Sequence, residues 1–235
     1  MPSFTFVSTA NAFVLRGGVP VFVDVHPDTL NIDESLIEDA VTAKTRAVIP
    51  VHYAGVPCRM DAIMEIAGRR GIVVIEDAAQ ALLSQYRDQC VGVHGQMICL
   101  SFHETKNIIS GEGGALLIND PEVFERAEII REKGTNRSQY FRGQVDKYTW
   151  VDVGSSYLPS DILAAFLYAQ MENAEQIIAK RNLIFDQYME GLRPLANTGR
   201  IRLPLVIEDS RCNGHLFYIV TQSLKERTEL ISFLA

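Results

Sequence analysis

Residues 71–81 read GIVVIEDAAQA, and residues 96–107 read QMICLSFHETKN. In both stretches a short run of apolar residues, several of them β-branched, passes directly into polar side chains. An apolar run without polar alternation is typical of a strand that is buried on both faces, as in a parallel sheet. Polar side chains that follow such strands are expected in the crevice beyond the carboxyl ends of the strands. These two stretches therefore predict a parallel sheet with chemistry at one edge.

The flanking sequence continues the same alternation of strands and helices. Further strands are predicted at 19–25, 46–52 and 114–119, and helices are predicted at 33–43, 60–70 and 121–134. This order favours an α/β fold in which a mostly parallel sheet lies between helix layers. The polar and aromatic stretch 134–153 has no clear periodicity, and it is predicted as a long loop.

The last third of the chain predicts a second unit. A helical pattern runs from 160 toward 192 and is long enough that we expect one break. After Arg193-Pro194 the pattern changes to strands at 200–207 and 215–221 and a helix from 225. We therefore expect a large domain at 1–192 and the start of a small α+β domain at 193–235. Neither end of the sequence closes with a cap or a polar tail, which predicts a chain truncated at both ends.

The composition argues against several classes of protein. The chain has 235 residues, a net charge of −7 and a pI near 5.3, whereas nucleic-acid binding needs clustered basic residues. No apolar run reaches the ~18–20 residues that span a bilayer, and the N-terminus lacks the pattern of a secretory signal. The four cysteines and five histidines are dispersed. They predict reduced thiols in a cytoplasm and no metal site.

Polar residues after the two apolar runs could carry chemistry. Asp77 and Gln80 follow the first run, and Ser101, His103 and Lys106 follow the second. A carboxylate and an amine in one crevice meet the needs of pyridoxal-phosphate chemistry, in which a lysine forms a Schiff base and a carboxylate keeps the pyridine nitrogen protonated. Ordinary alternatives stay open, namely a helix cap for Asp77 and a solvated surface position for Lys106. A dinucleotide-binding dehydrogenase is disfavoured, because no GxGxxG sequence follows a first strand.

Residues 101–120, SFHETKNIISGEGGALLIND, resemble the cofactor-lysine motif of the DegT/DnrJ/EryC1/StrS family of sugar aminotransferases. Four other segments resemble that family in the expected order: PSFTFVSTANA at 2–12, VFVDVHPDTLNID at 21–33, IPVHYAGVPCRMDAI at 49–63 and VIEDAAQA at 74–81. Residues 132–161 are most similar to the dTDP-4-amino-4,6-dideoxygalactose transaminases within it. The resemblance implies a fold-type I large domain with an incomplete small domain.

The resemblance also implies a role for individual residues. Lys106 would form the Schiff base with pyridoxal 5'-phosphate and later move a proton between cofactor and substrate. Asp77 would hold the protonated pyridine nitrogen. Gln80 would lie near the phenolic oxygen, Ser101 would bind the phosphate, and Phe6 would stack on the ring. Plain core packing is the alternative for Phe6.

Substrate contacts are implied for a second group of residues. These are His103, Arg137, Arg142 and Lys147. The last three lie in the predicted 134–153 loop, which would help to form a sugar-nucleotide pocket across a dimer interface. Ordinary surface charge is the alternative for these three side chains.

At the level of function, the resemblance implies amino transfer to a dTDP-4-keto-6-deoxyhexose, with glutamate as the donor. The enzyme would be a cytoplasmic homodimer in lipopolysaccharide or enterobacterial common antigen biosynthesis, with no nucleic-acid or membrane partner. Relatives carry, before the segment at 2–12, a turn at a helix N-terminus that cradles the cofactor phosphate. A truncated, non-catalytic remnant is therefore the alternative. A dehydrase of the same fold is disfavoured, since such relatives carry histidine in place of the motif lysine.

Overall fold

The computed structural model describes all 235 residues. Its strands are β1 (Ala47–Val48), β2 (Val73–Asp77), β3 (Gln85–Tyr86), β4 (Gln89–Cys90), β5 (Met97–Ser101), β6 (Gly114–Ile118), β7 (Ile201–Arg202), β8 (Ser210–Arg211) and β9 (Val220–Thr221). Its α-helices are α1 (Val7–Val14), α2 (Ile37–Ala40), α3 (Met60–Arg70), α4 (Phe124–Arg131), α5 (Arg137–Phe141), α6 (Asp161–Glu172), α7 (Ala174–Asn197) and α8 (Leu224–Leu234). Single 3₁₀ turns lie at Glu34–Leu36, Tyr53–Gly55 and Pro121–Val123.

Four strands form the central sheet, in the order β1-β2-β5-β6. The pairs β1–β2 and β2–β5 are parallel, whereas β6 returns antiparallel to β5 and places Gly114 opposite Ser101. The two backbones come very close at this return, because a Cβ on Gly114 would lie 2.7 Å from the carbonyl oxygen of Leu100. A glycine is therefore required where β6 begins. The predicted α/β fold with a mostly parallel sheet is confirmed.

One predicted strand does not form. The prediction of a strand at 19–25 is wrong, because this segment makes only isolated bridges, at Val23 and at Val25. Its first residue, Val19, is 86% exposed, and Pro20 has no backbone N–H to donate to a ladder. The β-branched composition that suggested a strand therefore reflects an extended, largely exposed segment, which pairs only through the single bridges at Val23 and Val25.

Three other predicted strands are found in place but are shorter than expected. The segment 46–52 keeps only β1, followed by a single bridge from Val51 to Asp77. Pro50 lies between the two, and proline cannot donate to a ladder. The segments 200–207 and 215–221 contribute only β7 and β9, which pair with each other in antiparallel fashion.

Helix α3 agrees with its predicted bounds of 60–70. Its buried side chains recur at helical spacing and pack in one cluster with Val48 and Val74 of the central sheet. These helix residues are Met60, Ile63, Ile66 and Ala67. Gly71 ends the helix in the left-handed conformation, with φ of 63°. The apolar face of α3 thus fixes the helix against β1 and β2.

Two other predicted helices are shortened at both ends. The segment 33–43 divides into the Glu34–Leu36 turn and α2. The segment 121–134 begins as the Pro121–Val123 turn and continues as α4. In each case the preceding aspartate accepts a hydrogen bond from the N–H group two residues later, which starts the turn as a capping residue does.

The long C-terminal helical pattern breaks at Asn173, between α6 and α7. The prediction that α7 ends before Arg193-Pro194 is wrong, because α7 continues through Pro194 to Asn197. A proline so near the helix end removes only one backbone donor. The predicted domain boundary at 192/193 falls inside α7, and the two-domain division stays a prediction. None of the helices combines the length and the apolar character needed to cross a membrane.

A small sheet was not predicted from the sequence. Strands β3 and β4 form a hairpin, and β8 pairs with β3, which gives the order β4-β3-β8. The hairpin turn consists of Arg87 and Asp88, with φ of 48° and 61°. Positive φ at both central residues is the geometry of a tight two-residue hairpin. This sheet attaches residues 210–211 to the segment that follows β2.

A buried carboxylate anchors the end of β2. Glu76 is fully buried, and it accepts hydrogen bonds from His52 Nε2 at 3.0 Å and from the N–H groups of Gly92 and Gly95 at 3.1 and 2.6 Å. Burial alone would raise the pKa of Glu76, but these donors outweigh it and the pKa is lowered. Because Asp77 is the next residue, this network fixes the strand end that carries it.

The substitution Glu76→Ala should be strongly destabilising, because it leaves His52 and the backbone donors without their partner. We expect the free energy of unfolding, measured by urea denaturation, to fall by about 3–5 kcal/mol. The matched control is Glu65→Ala on the exposed face of α3, whose surface ion pair with Arg69 is worth at most about 1 kcal/mol. An equally small loss for Glu76→Ala would contradict an anchoring role.

The same network predicts a pH dependence of stability. The pKa of Glu76 is lowered in the folded state. Its ionised carboxylate therefore contributes fully to the free energy of unfolding above the pKa of an unfolded glutamate, and this contribution is lost as pH falls through the folded pKa. The Glu76→Ala variant should therefore lose less stability than the parent chain on acidification.

Candidate active site

The edge of the central sheet brings the predicted amine and carboxylate together. Asp77 is the last residue of β2, and Lys106 lies in the loop that follows β5, the parallel neighbour of β2. Burial lowers the pKa of the Lys106 amine, and the Asp77 carboxylate acts in the opposite direction. The amine is therefore half-buried and within electrostatic reach of the carboxylate. Their charged atoms form no ion pair within 4.0 Å.

Asp77 is held by hydrogen bonds to both of its carboxylate oxygens. Thr9 of α1 donates its hydroxyl to Asp77 Oδ2 at 2.7 Å, and the N–H of Ala79 donates to Oδ1 at 3.2 Å. The backbone N–H of Asp77 donates to the Pro50 carbonyl, and its own carbonyl accepts from the N–H of His52. These contacts fix the orientation of the carboxylate.

Gln80 lies in the turn directly after β2. Its side-chain oxygen accepts a hydrogen bond from the N–H of Ala54 at 2.6 Å. Ala54 itself has a positive φ of 56°, which is uncommon for a residue other than glycine. The bond fixes the amide group of Gln80, and its NH₂ end keeps two donors that can bind another group.

The loop from Ser101 to Lys106 is stabilised by its own hydrogen bonds. Ser101 Oγ accepts from the N–H of His103 at 3.4 Å, and the N–H of Lys106 donates to the carbonyl of His103 at 2.9 Å. His103 Nδ1 lies 2.9 Å from the Thr105 hydroxyl, and its Nε2 lies 3.8 Å from Glu112. These contacts hold the His103 side chain against the segment between β5 and β6, and its ring is partly exposed.

Phe6 lies at the N-terminal end of α1, three residues before Thr9, the partner of Asp77. Its side chain is 70% exposed, so the alternative of plain core packing is wrong. The neighbouring Phe4 instead packs on Tyr53, with ring centroids 5.0 Å apart. The free face of Phe6 is available for stacking on a planar ligand.

The candidate substrate residues in the 134–153 segment are placed differently from the others. That segment is not wholly a loop, since it contains α5. Arg137 is paired with Glu132, and Arg142 makes two hydrogen bonds to Glu128, at 2.8 and 2.7 Å. Lys147 is exposed. Both arginines thus form ion pairs with carboxylates in or just after α4, and neither is brought to Lys106.

Thr9 is a site residue that the sequence analysis missed. It lies in the quoted PSFTFVSTANA segment, and its hydroxyl is buried against Asp77. Thr5 and Thr9 lie four residues apart, and their hydroxyl oxygens are 3.0 Å from each other. Thr5 precedes α1, so the two residues share no helix face. The acceptor Asp77 lies 68 residues after Thr9, so no local sequence pattern marks Thr9 as its donor.

Comparison with known proteins gives one family. The sequence profile described as the DegT/DnrJ/EryC1/StrS aminotransferase family matches residues 1–235. The uncharacterized protein MJ1066 of Methanocaldococcus jannaschii is 39% identical over 190 residues, which cover 80% of this chain and 49% of that protein.

Solved structures give the same family and fold. DesV of S. venezuelae, solved in complex with a ketimine intermediate, is 33% identical with a TM-score of 0.88 over 99% of this chain and 60% of its own. NtdA of Bacillus subtilis, with bound cofactor PMP, is 30% identical with a TM-score of 0.86 over 99% of this chain and 51% of its own. A candidate sugar aminotransferase of Streptococcus pneumoniae, Spr1654, in its PLP-form is 27% identical with a TM-score of 0.87 over 99% and 63%. These likenesses confirm the predicted aminotransferase fold. The chain spans about half to two thirds of the length of these relatives.

The electrostatic contact between Asp77 and Lys106 can be measured directly. Because the carboxylate raises the pKa of the amine, Asp77→Asn should lower that pKa further. We expect the pH profile of Lys106 modification by an amine-reactive reagent, quantified on the Lys106 peptide, to move to lower pH. The exposed Lys44 in the same digest is the internal reference. An unmoved Lys106 profile would place the two groups in separate environments.

Proposed function

Because this chain belongs to the DegT/DnrJ/EryC1/StrS aminotransferase family, we propose that it transfers an amino group to a sugar with the help of pyridoxal 5'-phosphate. The observation that carries this proposal is the parallel pairing of β2 with β5, which places the half-buried Lys106 amine and the Asp77 carboxylate at the same edge of the sheet. A lysine with a lowered pKa and an oriented carboxylate are the two groups that this cofactor requires of a protein.

The residues at the sheet edge fit the cofactor. We propose that Lys106 holds its aldehyde carbon, that Asp77 binds the ring nitrogen, and that Phe6 covers one ring face. Gln80 and Ser101 would donate to the phenolic oxygen and the phosphate. The fit is supported by the amine and the carboxylate at one sheet edge, which form no ion pair with each other. When bound, the cofactor supplies an electron sink for the carbon that loses its proton.

The protein's own groups prepare the site in two ways. Burial lowers the pKa of Lys106, which increases the fraction of free amine near neutral pH and so its capacity to attack a carbonyl carbon. The Thr9 hydroxyl, which donates to Asp77 Oδ2 at 2.7 Å, keeps the carboxylate in a fixed orientation. In amino transfer, the Lys106 amine would be the group that takes a proton from one carbon and returns it to another.

For the substrate we propose a dTDP-4-keto-6-deoxyhexose, with glutamate as amino donor, as in the dTDP-4-amino-4,6-dideoxygalactose transaminases. Support comes from the resemblance of residues 132–161 to that subgroup. A place in lipopolysaccharide or enterobacterial common antigen biosynthesis belongs to the same proposal. Arg137 and Arg142 could bind a diphosphate only by exchanging their present partners, Glu132 and Glu128. His103 and Lys147 have no such competing carboxylate within 3.5 Å.

We further propose that the chain acts as a homodimer in the cytoplasm. Large aromatic side chains are exposed along the segment from α5 to α6: Phe141, Trp150, Tyr157 and Tyr168, at 66–74%. Exposed aromatic groups in one region are typical of an interface, whose core excludes charged residues in favour of such side chains. All four cysteines are free thiols, in keeping with a reducing compartment.

The lysine assignment is tested by borohydride reduction of the chain mixed with pyridoxal 5'-phosphate, followed by peptide mapping. We expect the reduced cofactor on Lys106, because it is the half-buried lysine with a lowered pKa beside a carboxylate. Lys106→Arg should remove the label, whereas Lys44→Arg should leave it unchanged. A label on another lysine, or none at any concentration of cofactor, would refute the proposed function.

The carboxylate assignment is tested by amino transfer from glutamate to a dTDP-4-keto-6-deoxyhexose. Asp77→Ala should lower turnover by about 10²–10³-fold, the typical effect of removing one preorganised electrostatic group, while borohydride still labels Lys106. Asp120→Ala, which alters an exposed turn far along the chain, is the matched control. Unchanged turnover in Asp77→Ala would remove Asp77 from the mechanism.

A further inference from the structure

Three buried polar side chains connect the Lys106 loop to the C-terminal part of the chain. They are Asn107, Asn213 and His215, exposed by only 8%, 1% and 8%. Asn107 Nδ2 donates to the Asn213 carbonyl at 2.9 Å, and His215 Nδ1 lies 2.9 Å from Asn107 Oδ1. Asn107 follows Lys106 directly, so both ends of its amide are engaged by the 213–215 turn. Buried polar groups that are fully paired in this way hold one conformation.

The hydrogen bonds also settle the protonation of His215. Because Asn107 Nδ2 is a donor to a carbonyl, Asn107 Oδ1 is the acceptor, and His215 Nδ1 must carry the proton. Burial lowers the pKa of His215 to about 4, with further lowering by the charges of Lys106 and Arg181. The imidazole is therefore neutral at neutral pH.

The 213–215 turn is fixed on its other sides as well. Asn213 Nδ2 donates to the carbonyls of Gln80 and Leu82, at 2.9 Å each. Gly214 has a φ of 60°, and a Cβ there would lie 2.9 Å from the side-chain oxygen of Asn182 in α7. The 213–215 turn thus packs between α7, the loop after β2 and the loop after β5.

We propose that His215 is a positioning residue for Lys106. Through Asn107 it fixes the backbone beside Lys106, and so it keeps the amine half-buried opposite Asp77. Its neutral ring supplies the hydrogen bond without placing a second positive charge beside the amine. The use of Lys106 in amino transfer rests on the proposed function, whereas the placement of the amine by His215 is a property of the chain without cofactor.

The test measures the Lys106 amine in the cofactor-free 235-residue chain. Trinitrobenzenesulfonate modifies lysines only in the unprotonated form, and the Lys106 peptide is quantified by mass spectrometry across neutral and alkaline pH. His215→Ala should let water into the loop, which weakens the desolvation of Lys106. We therefore expect the midpoint of the Lys106 profile to move to higher pH, while the Lys44 profile stays in place. Since His215 is uncharged throughout this range, loss of its charge cannot cause the shift.

A conservative variant and a partner variant separate positioning from simple stability. His215→Gln retains an N–H donor for Asn107 and should restore the parent profile. Asn107→Ala should reproduce the shift of His215→Ala, and the double variant should shift no further, because both changes break one connection. If His215→Ala does not fold, as judged by circular dichroism, His215→Leu fills the same space without a donor and takes its place.

The proposal is overturned if the folded His215→Ala or His215→Leu chain keeps the parent Lys106 profile, even with a lower melting temperature. It is also overturned if His215→Gln shifts as far as His215→Ala. Because no cofactor is present, these results are independent of the borohydride mapping. A label on another lysine would refute the proposed function and leave a measured Lys106 shift standing.

Discussion

The parallel pairing of β2 with β5 is the constraint on which the rest of this account depends. It places the residue that ends β2, Asp77, beside the loop that leaves β5 and carries Lys106. Two opposing effects then act on the amine, since burial lowers its pKa and the carboxylate raises it. The outcome is an amine that is neither a solvated surface group nor half of a closed ion pair. Such an amine can react with a carbonyl carbon while the Asp77 carboxylate binds a nitrogen.

This arrangement is maintained from several directions in the chain. The buried Glu76 fixes the end of β2, and Thr9 of α1 orients the Asp77 carboxylate. On the other side, Asn107 and the 213–215 turn hold the loop with Lys106. Each support is a buried or half-buried polar contact, and such contacts cost free energy when one partner is lost. The placement of Asp77 and Lys106 therefore depends on the residues that support them from other parts of the chain.

Much of this could be predicted from local sequence, but the long-range contacts could not. Apolar runs and the glycine after α3 predicted β2, β5 and α3, because these elements follow local rules of periodicity and capping. The false strand at 19–25 shows the limit of composition, since no neighbour pairs with Val19. The β3–β4 hairpin was not predicted, because Arg87 and Asp88 occupy turn positions at which glycine is usual. The contacts of Thr9, Asn107 and His215 are with residues far away in the sequence, and such contacts cannot be predicted from a single sequence.

If Lys106 and Asp77 form one site, a single cofactor ring can bind both residues. A crystal structure of the chain with pyridoxal 5'-phosphate should then show continuous density from Lys106 Nζ to the cofactor, with the ring nitrogen about 2.7–3.0 Å from an Asp77 carboxylate oxygen. A cofactor attached to another lysine, or a ring nitrogen that faces no carboxylate, would contradict it.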